Sequence, residues 1–258
     1  MALVTNHRYL LHRAGQIGAA RPNTRILDFG CGGGQVVAAG RKQGLDFYGA
    51  EVFYSASSAR EVASRTGLLG SAIREIKDGK IDFENEFFDL VTSNQVFEHV
   101  EDLDGALREI HRVLKPGGAL LCLFPSAEVI REGHRGIPFL HWFPRDSRVG
   151  YAYTWSLRAL GFGSFKKSKS ISQWTRYSLD WVDKYTVYRK RRDLLEIFSR
   201  YFHLQMIEED NIRFRLQAHP ALAPLAALLK LPLATPTARV LFRRLVGMVI
   251  LATKPSGR

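Results

Sequence analysis

The chain has 258 residues, 46% hydrophobic and 24% charged, with a formal net charge of +12. That length holds one domain with a substantial core, or one domain plus a lid, and the composition is that of an ordinary globular protein without internal repeats or low-complexity linkers. Its two cysteines, Cys31 and Cys122, fall in a glycine-rich loop and an apolar strand pattern; this argues against a disulfide framework and fits a reducing compartment.

The elements follow in chain order. Residues 6–20 read as an N-terminal helix ending near Gly18 and Pro22, and residues 25–29 as a first strand. A crossover helix spans 33–43 and stops at Gly44; a second strand, 46–50, leads into Glu51. Residues 55–66 have helical character, 71–76 read as a third strand and 88–93 as a fourth. Leu103, Leu107, Ile110 and Leu114 recur at helical spacing, predicting a helix over 102–114 that Lys115-Pro116-Gly117-Gly118 stops. Residues 119–124 form a buried fifth strand.

Strands alternating with helices at this spacing imply a doubly wound, mostly parallel α/β sheet with helices on both faces. Past Pro125 the rhythm breaks, and residues 126–185 show no clear strand–helix–strand unit. Trp174, Tyr177, Trp181, Tyr185 and Tyr188 recur at steps of three and four, which one helix would place on one face; a break near Ser178 or Thr186 is the competing reading. Their ordinary meaning is packing of a lid on the sheet, and the functional alternative is a stacking wall for a planar substrate. A helix over 186–201 follows, with strands at 202–208 and 248–253 around an apolar helical insertion, 220–245, broken by Pro224, Pro232 and Pro236. The organisation expected is a single domain over 1–258, with a ligand-binding core in 1–125 and substrate-side insertions and the last strands in 126–258.

Charge is divided along the chain. Residues 1–150 hold 18 Lys/Arg and 18 Asp/Glu, whereas residues 151–258 hold 19 and 7. A basic second half suits an anionic partner, such as a membrane surface, a phosphorylated substrate or nucleic acid, or else is a solvated surface. The N-terminus lacks the apolar core of a secretory signal, and the apolar run 221–233 is too short to span a bilayer and is interrupted by Pro224, Lys230 and Pro232. A cytoplasmic protein, peripheral at most to a membrane, is the expectation.

The chemistry begins in Arg25-Ile26-Leu27-Asp28-Phe29-Gly30-Cys31-Gly32-Gly33-Gly34, a buried strand ending on an acidic residue and opening into a glycine-rich turn before a helix. Such a turn lets a ligand approach the backbone closely and marks a nucleotide-type pocket at the carboxyl end of the first strand. Glu51 ends the second strand, 21 residues after Gly30, where a carboxylate can accept both hydroxyls of an adenosine ribose. A dinucleotide fingerprint wants a small residue at its sixth position; counted from Gly30, that position is Gln35.

Three stretches together carry a resemblance: Ile26 through Gly34; Phe88-Asp89-Leu90-Val91-Thr92-Ser93-Asn94-Gln95-Val96-Phe97-Glu98-His99-Val100; and Arg108-Glu109-Ile110-His111-Arg112-Val113-Leu114-Lys115-Pro116-Gly117-Gly118. In their order and spacing the chain resembles a class I S-adenosylmethionine-dependent methyltransferase of the small-molecule group that includes the ubiquinone-biosynthesis enzymes. The likeness covers residues 20–125. It implies a seven-stranded Rossmann-like sheet and S-adenosylmethionine as cofactor. By the resemblance, Asp28 and the Gly30-Cys31-Gly32 backbone hold the methionine end, Glu51 the ribose, Asp78 and its turn the adenine, and Asn94 lines the floor beneath the sulfonium. Here Ile81-Asp82-Phe83 stands where the family has a Leu-Pro-Phe-type run before the fourth strand, with Asp82 in place of Pro, a departure next to the turn that holds Asp78.

The acceptor side has no such guide. His99 follows the fourth strand beside Glu98 and either serves as a general base or braces its loop. Glu128, Glu132, His134, His141, Trp142 and Asp146 lie close in sequence after the fifth strand, where loops of such sheets build active sites. His134 and His141 are further candidate bases. Glu128, Glu132 and His134 are metal-ligating types, but their spacing matches no specific site, and no metal is expected. The basic, apolar second half, with Arg239, Arg243 and Arg244 beside Leu241, Phe242 and Leu245, suits a small-molecule or lipid-linked acceptor, such as a glycan or isoprenoid, near anionic lipid. An RNA methyltransferase and a non-catalytic S-adenosyl-ligand scaffold are the alternatives.

Overall fold

The computed structural model describes residues 3–20, 23–54, 58–166, 168–231 and 233–256. Pro22, Pro232 and the start of the helix expected from residue 55 lie outside them. The strands are β1 (Arg25–Phe29), β2 (Asp46–Glu51), β3 (Ile73–Glu75), β4 (Phe88–Asn94), β5 (Leu114–Phe124), β6 (Arg131–Glu132), β7 (Ile137–Pro138), β8 (His203–Met206) and β9 (Met248–Thr253). Seven of them form one sheet in the order β3-β2-β1-β4-β5-β9-β8, while β6 and β7 make a separate hairpin. Neighbours among β1–β5 run parallel, and β9 runs antiparallel to both β5 and β8. The expected doubly wound, mostly parallel seven-stranded sheet is thus present. Chain order reverses between β1 and β4, so the loops after these two strands flank the crevice where ligands of such sheets bind.

The helices are α1 (Thr5–Ala20), α2 (Gln35–Lys42), α3 (Ala59–Arg65), α4 (Leu103–Val113), α5 (Arg148–Ala159), α6 (Ile171–Tyr185), α7 (Arg191–Ser199), α8 (Glu208–Gln217) and α9 (Ala234–Leu245). Period-two alternation in the strands sends side chains to two cores. Ile26, Leu90, Leu121 and Val249 face Tyr9 and Leu10 of α1, Val37 of α2 and Phe242 of α9. Their neighbours Leu27, Val91, Leu120 and Ile250 face Leu107 and Ile110 of α4 and Leu194 and Phe198 of α7. A central strand covered on both faces is buried at nearly every position, as β1 and β4 are, with the apolar pairs Ile26-Leu27 and Leu90-Val91 at their centres. No helix among the described residues is long and apolar enough to cross a membrane.

Several expectations are corrected. The fifth strand starts at Leu114 rather than Ala119: Leu114 pairs with Phe88, whereas Ala119 pairs with Leu90. The turn-forming Lys115–Gly118 therefore bulges within the strand, and Lys115 Nζ binds both oxygens of Asp89 at 2.8 Å. Residues 126–185 are more regular than their sequence suggests. Ser170 and Gln173 form a capping box that starts α6, and α5 packs against it. The helix expected from Thr186 begins only at Arg191, because the Val187 amide donates to the Glu98 carbonyl and the Arg189 carbonyl accepts from the Ala127 amide. The chain is held extended there, so Tyr188 is not on the α6 face. Strand β8 ends at Met206, and buried Glu208, bonded to Arg243, opens α8.

Candidate functional site

The loop after β1 is tied to the end of β2. The Gly30 and Cys31 amides donate to the Ala50 carbonyl, at 2.8 and 3.2 Å, and the Gly32 amide donates to Glu51 Oε2 at 2.7 Å. The other oxygen of Glu51 accepts from the Val52 amide at 2.9 Å. Gly30 and Gly32 both have positive φ, 73° and 54°. A Cβ on Gly30 would overlap Val96, so the segment after β4 lies directly against this loop; a Cβ on Gly32 would meet nothing within 4 Å, so its backbone faces open space. Cys31 is buried and unpaired.

Asp28 sits beneath the loop, 4% exposed, and accepts a 2.9 Å hydrogen bond from the Thr92 hydroxyl. Burial pushes its carboxyl up to about 7; the Thr92 bond opposes that rise and the negative charge of Glu51 adds to it. Asn94, at the end of β4, accepts from the Asn6 amide at 2.8 Å, so α1 closes the crevice from one side. Asp28, Gly30, Cys31, Gly32, Glu51 and Asn94 therefore converge at the carboxyl ends of β1, β2 and β4. Asp78 lies in the left-handed turn after β3, where it lines a groove with Arg74, Lys77 and Lys80.

A second cluster starts one turn beyond Val96. The His99 amide donates to the Val96 carbonyl, closing the short 3-10 turn Phe97–His99. His99 Nε2 lies 3.0 Å from His134 Nε2, although 35 residues separate them in sequence. His99 Nδ1 is 2.6 Å from the Tyr185 carbonyl, and His134 Nδ1 is 2.6 Å from Glu132 Oε1. Glu132, fully buried, also accepts from the Tyr188 hydroxyl and from the His134 and Arg135 amides. Burial opposes its ionisation, but hydrogen bonds and charge from His134 outweigh burial and hold its carboxyl below the ordinary range. Burial lowers His99. Glu98 is 1% exposed, neither of its oxygens has a hydrogen-bond partner among the described residues, and burial, reinforced by Glu132, raises its carboxyl to about 8.

The structure separates other residues that lie close in sequence. His141 Nε2 donates to the Ala127 carbonyl, 3.2 Å away, and the ring packs on Tyr188 at 4.3 Å. Tyr188 and Glu132 stand between it and the histidine pair. The set Glu128, Glu132 and His134 does not assemble: the Glu128 carboxylate accepts from the Arg191 amide at 3.0 Å instead. Of the aromatics, Trp174 is fully buried while Tyr177 is 43% exposed, so no single inward stripe forms. Trp181 packs on His134, ring centroids 5.0 Å apart. Sequence reasoning gave no role to Thr92 or Asn6, and it read Tyr185 by its ring and not by its carbonyl. The first two act through side-chain hydrogen bonds and the third through its carbonyl, none of which leaves a spacing to read.

Residues 27–122, from β1 to β5, match the methyltransferase domain family. The ubiquinone biosynthesis O-methyltransferase of Yersinia pestis (strain Pestoides F) is 30% identical over 111 residues, which cover 43% of this chain and 44% of that protein. The chain thus spans less than half the length of the curated relatives it matches. A solved structure from Listeria monocytogenes, assigned as an S-adenosylmethionine-dependent methyltransferase, aligns with a TM-score of 0.52 at 14% identity, covering 97% of each chain. It shows a shared fold.

Proposed function

We propose, from the match of residues 27–122 to the methyltransferase domain family, that the chain is a class I S-adenosylmethionine-dependent methyltransferase and that it methylates a hydroxyl oxygen of a small-molecule or lipid-linked acceptor of glycan or isoprenoid type. The observation that carries the oxygen assignment is the meeting of the His99 and His134 Nε2 atoms at 3.0 Å, one turn from the segment that packs over Gly30. Methylation of a neutral hydroxyl requires that a proton leave, and this corner is where the described residues gather groups able to assist its removal. His141, with Nε2 engaged by Ala127, has a positioning role.

The pocket fits the cofactor. Asp28 and Glu51 give it a negative wall suited to a ligand carrying an ammonium and a sulfonium, and the open space over Gly32 admits it against the backbone. In this reading Asp28 and the Gly30–Gly32 backbone hold the methionine end, Glu51 the ribose hydroxyls, the Asp78 turn the adenine, and Asn94 the floor. When bound, the cofactor supplies an electrophilic methyl carbon for in-line displacement. The protein's part is alignment, which is worth about 7–11 kcal/mol when two reactants are held in near-attack geometry.

Glu51→Ala tests the pocket. It removes the acceptor for the ribose hydroxyls and also releases the Gly32 and Val52 amides. Hydrogen bonds to a charged group contribute about 1.5–3 kcal/mol each, so S-adenosylhomocysteine should bind at least about tenfold more weakly by calorimetry. Equal affinity in the variant would remove Glu51 from the pocket.

The lipid-linked acceptor is supported by an apolar outer surface. Leu225, Leu231, Leu233, Leu241 and Leu245, on α9 and the 3-10 turn Ala223–Lys230 and linker before it, are 45–82% exposed. Arg239 and Arg243 are engaged by Glu209 and Glu208, so apolar contact would dominate over charge. Co-sedimentation with anionic vesicles should therefore persist at raised salt, and full release by salt would contradict this surface.

A further inference from the structure

The two imidazoles and the carboxylate beside them present a set of facing acceptors that the other described residues do not fill. The Tyr185 carbonyl can only accept, so His99 Nδ1 carries a proton. Glu132 accepts from Tyr188 and from two amides, so it is an ionised acceptor and His134 Nδ1 donates to it. When both rings are neutral, each is thereby held in the tautomer that leaves Nε2 with a lone pair, and the two lone pairs face each other across 3.0 Å. An electrophile belongs between them. A shared proton would satisfy the imidazoles but leave Glu98, 1% exposed, with neither oxygen partnered among the described residues. A cation satisfies all three groups, because a Glu98 oxygen and the two nitrogens lie within 4.8 Å of one another.

We propose that Glu98, His99 and His134 form a binding site for a divalent transition metal of the zinc class. Two imidazoles and a carboxylate are borderline ligands that suit Zn²⁺ or Co²⁺ better than Mg²⁺ or Ca²⁺, and three protein ligands leave a coordination position open. Bonds of about 2.0–2.2 Å place ligand atoms about 3–4 Å apart, so the set closes with side-chain movement of about 1 Å. The outer contacts are of the kind that orient metal-bound histidines: a carboxylate on one Nδ1–H and a backbone carbonyl on the other. They also explain why residues 186–190 are held extended against the loops after β4 and β5, since that stretch supplies Tyr188 to Glu132.

What the metal does rests on the methyltransferase reading: beside the methyl donor, it would bind a hydroxyl-bearing acceptor and lower the pKa of that hydroxyl, the proton leaving to solvent. Metal binding itself does not depend on that reading, and the test separates the two. Chelator-treated protein is titrated with Co²⁺ and followed by visible absorption, and the same samples are titrated with S-adenosylhomocysteine by calorimetry. One Co²⁺ per chain is expected. Glu98→Gln and His134→Ala should each weaken it at least about tenfold, and Glu132→Gln, which acts through His134, by about 10–100-fold, with S-adenosylhomocysteine affinity retained in all three as proof of folding. Wild-type protein that binds no Co²⁺, or Glu98→Gln and His134→Ala variants that bind it as wild type does, would overturn the site. Loss of S-adenosylhomocysteine binding in wild type would instead overturn the cofactor reading and leave the metal result standing.

Discussion

Asp28→Asn should stabilise the protein at pH 8 while weakening its hold on S-adenosylhomocysteine. The carboxyl is buried, and its pKa is raised from 3.8 to about 7 in the folded chain. A folded-state pKa above the unfolded value means that the folded chain keeps a proton the unfolded chain has released. Stability from this group is fully present below about pH 4 and is lost as pH rises to about 7. Three units at 1.36 kcal/mol each set a cost on the order of 3–4 kcal/mol at pH 8. Asparagine does not ionise, and its carbonyl oxygen can still accept from Thr92, so the variant avoids that cost. Relative to wild type its Tm should gain roughly 2–4 °C per kcal/mol between pH 4 and pH 8. A Tm difference that is the same at both pH values would show that burial does not perturb Asp28. The ligand side has the opposite sign: a bound cation favours the ionised carboxylate, so wild-type binding should strengthen as pH rises through 7, and this dependence should vanish in the variant.

The sheet was legible because its rules are local. Strands β1 and β9 begin and end at the residues their apolar runs predict, and the glycine loop after β1 opens at the switch point, as its turn chemistry requires. Boundaries failed where a distant partner decided them. Lys115–Gly118 has the composition of a turn, yet pairing of Leu114 with Phe88 draws it into β5 as a bulge. Thr186–Lys190 has ordinary helical content, yet its backbone groups are taken by Glu98 and Ala127. Helix α8 is polar nearly all round, with only Glu208 and Asn211 fully buried, so no apolar stripe announced it.

The site divides along the same line. Asp28 and Glu51 end adjacent parallel strands, so their meeting follows from the sheet. His99 and His134 meet through a hairpin and a helix whose packing no spacing encodes. Sequence proximity even misled there: Glu128 and His141 lie nearer to His134 in sequence than His99 does, and both are engaged elsewhere.

Trp174→Ala should unfasten that second half and spare the first. Trp174 is fully buried in the small core with Ile137, Leu140, Leu179 and Val182, and its indole donates to the Ser164 carbonyl at 2.9 Å. Its ring also lies so close to Gly163 that a Cβ there would overlap it, so the surrounding chain is fitted to this side chain. Truncation of a buried tryptophan costs about 3–5 kcal/mol, through lost burial and the cavity left behind. This core contains no strand of the main sheet, so the cost falls first on α5, α6 and the β6–β7 hairpin. Hydrogen exchange should accelerate across residues 137–188 well before the sheet opens. Helix α6 ends at the carbonyl that orients His99 and carries the indole packed on His134. Loosening it should therefore weaken Co²⁺ binding at the histidine pair, while S-adenosylhomocysteine, held by Asp28, Glu51 and the glycine loop, binds as before. A uniform loss of protection across sheet and lid, with both ligands lost together, would mean instead that the small core folds as one cooperative unit with the cores of the sheet and that lid and pocket cannot be uncoupled.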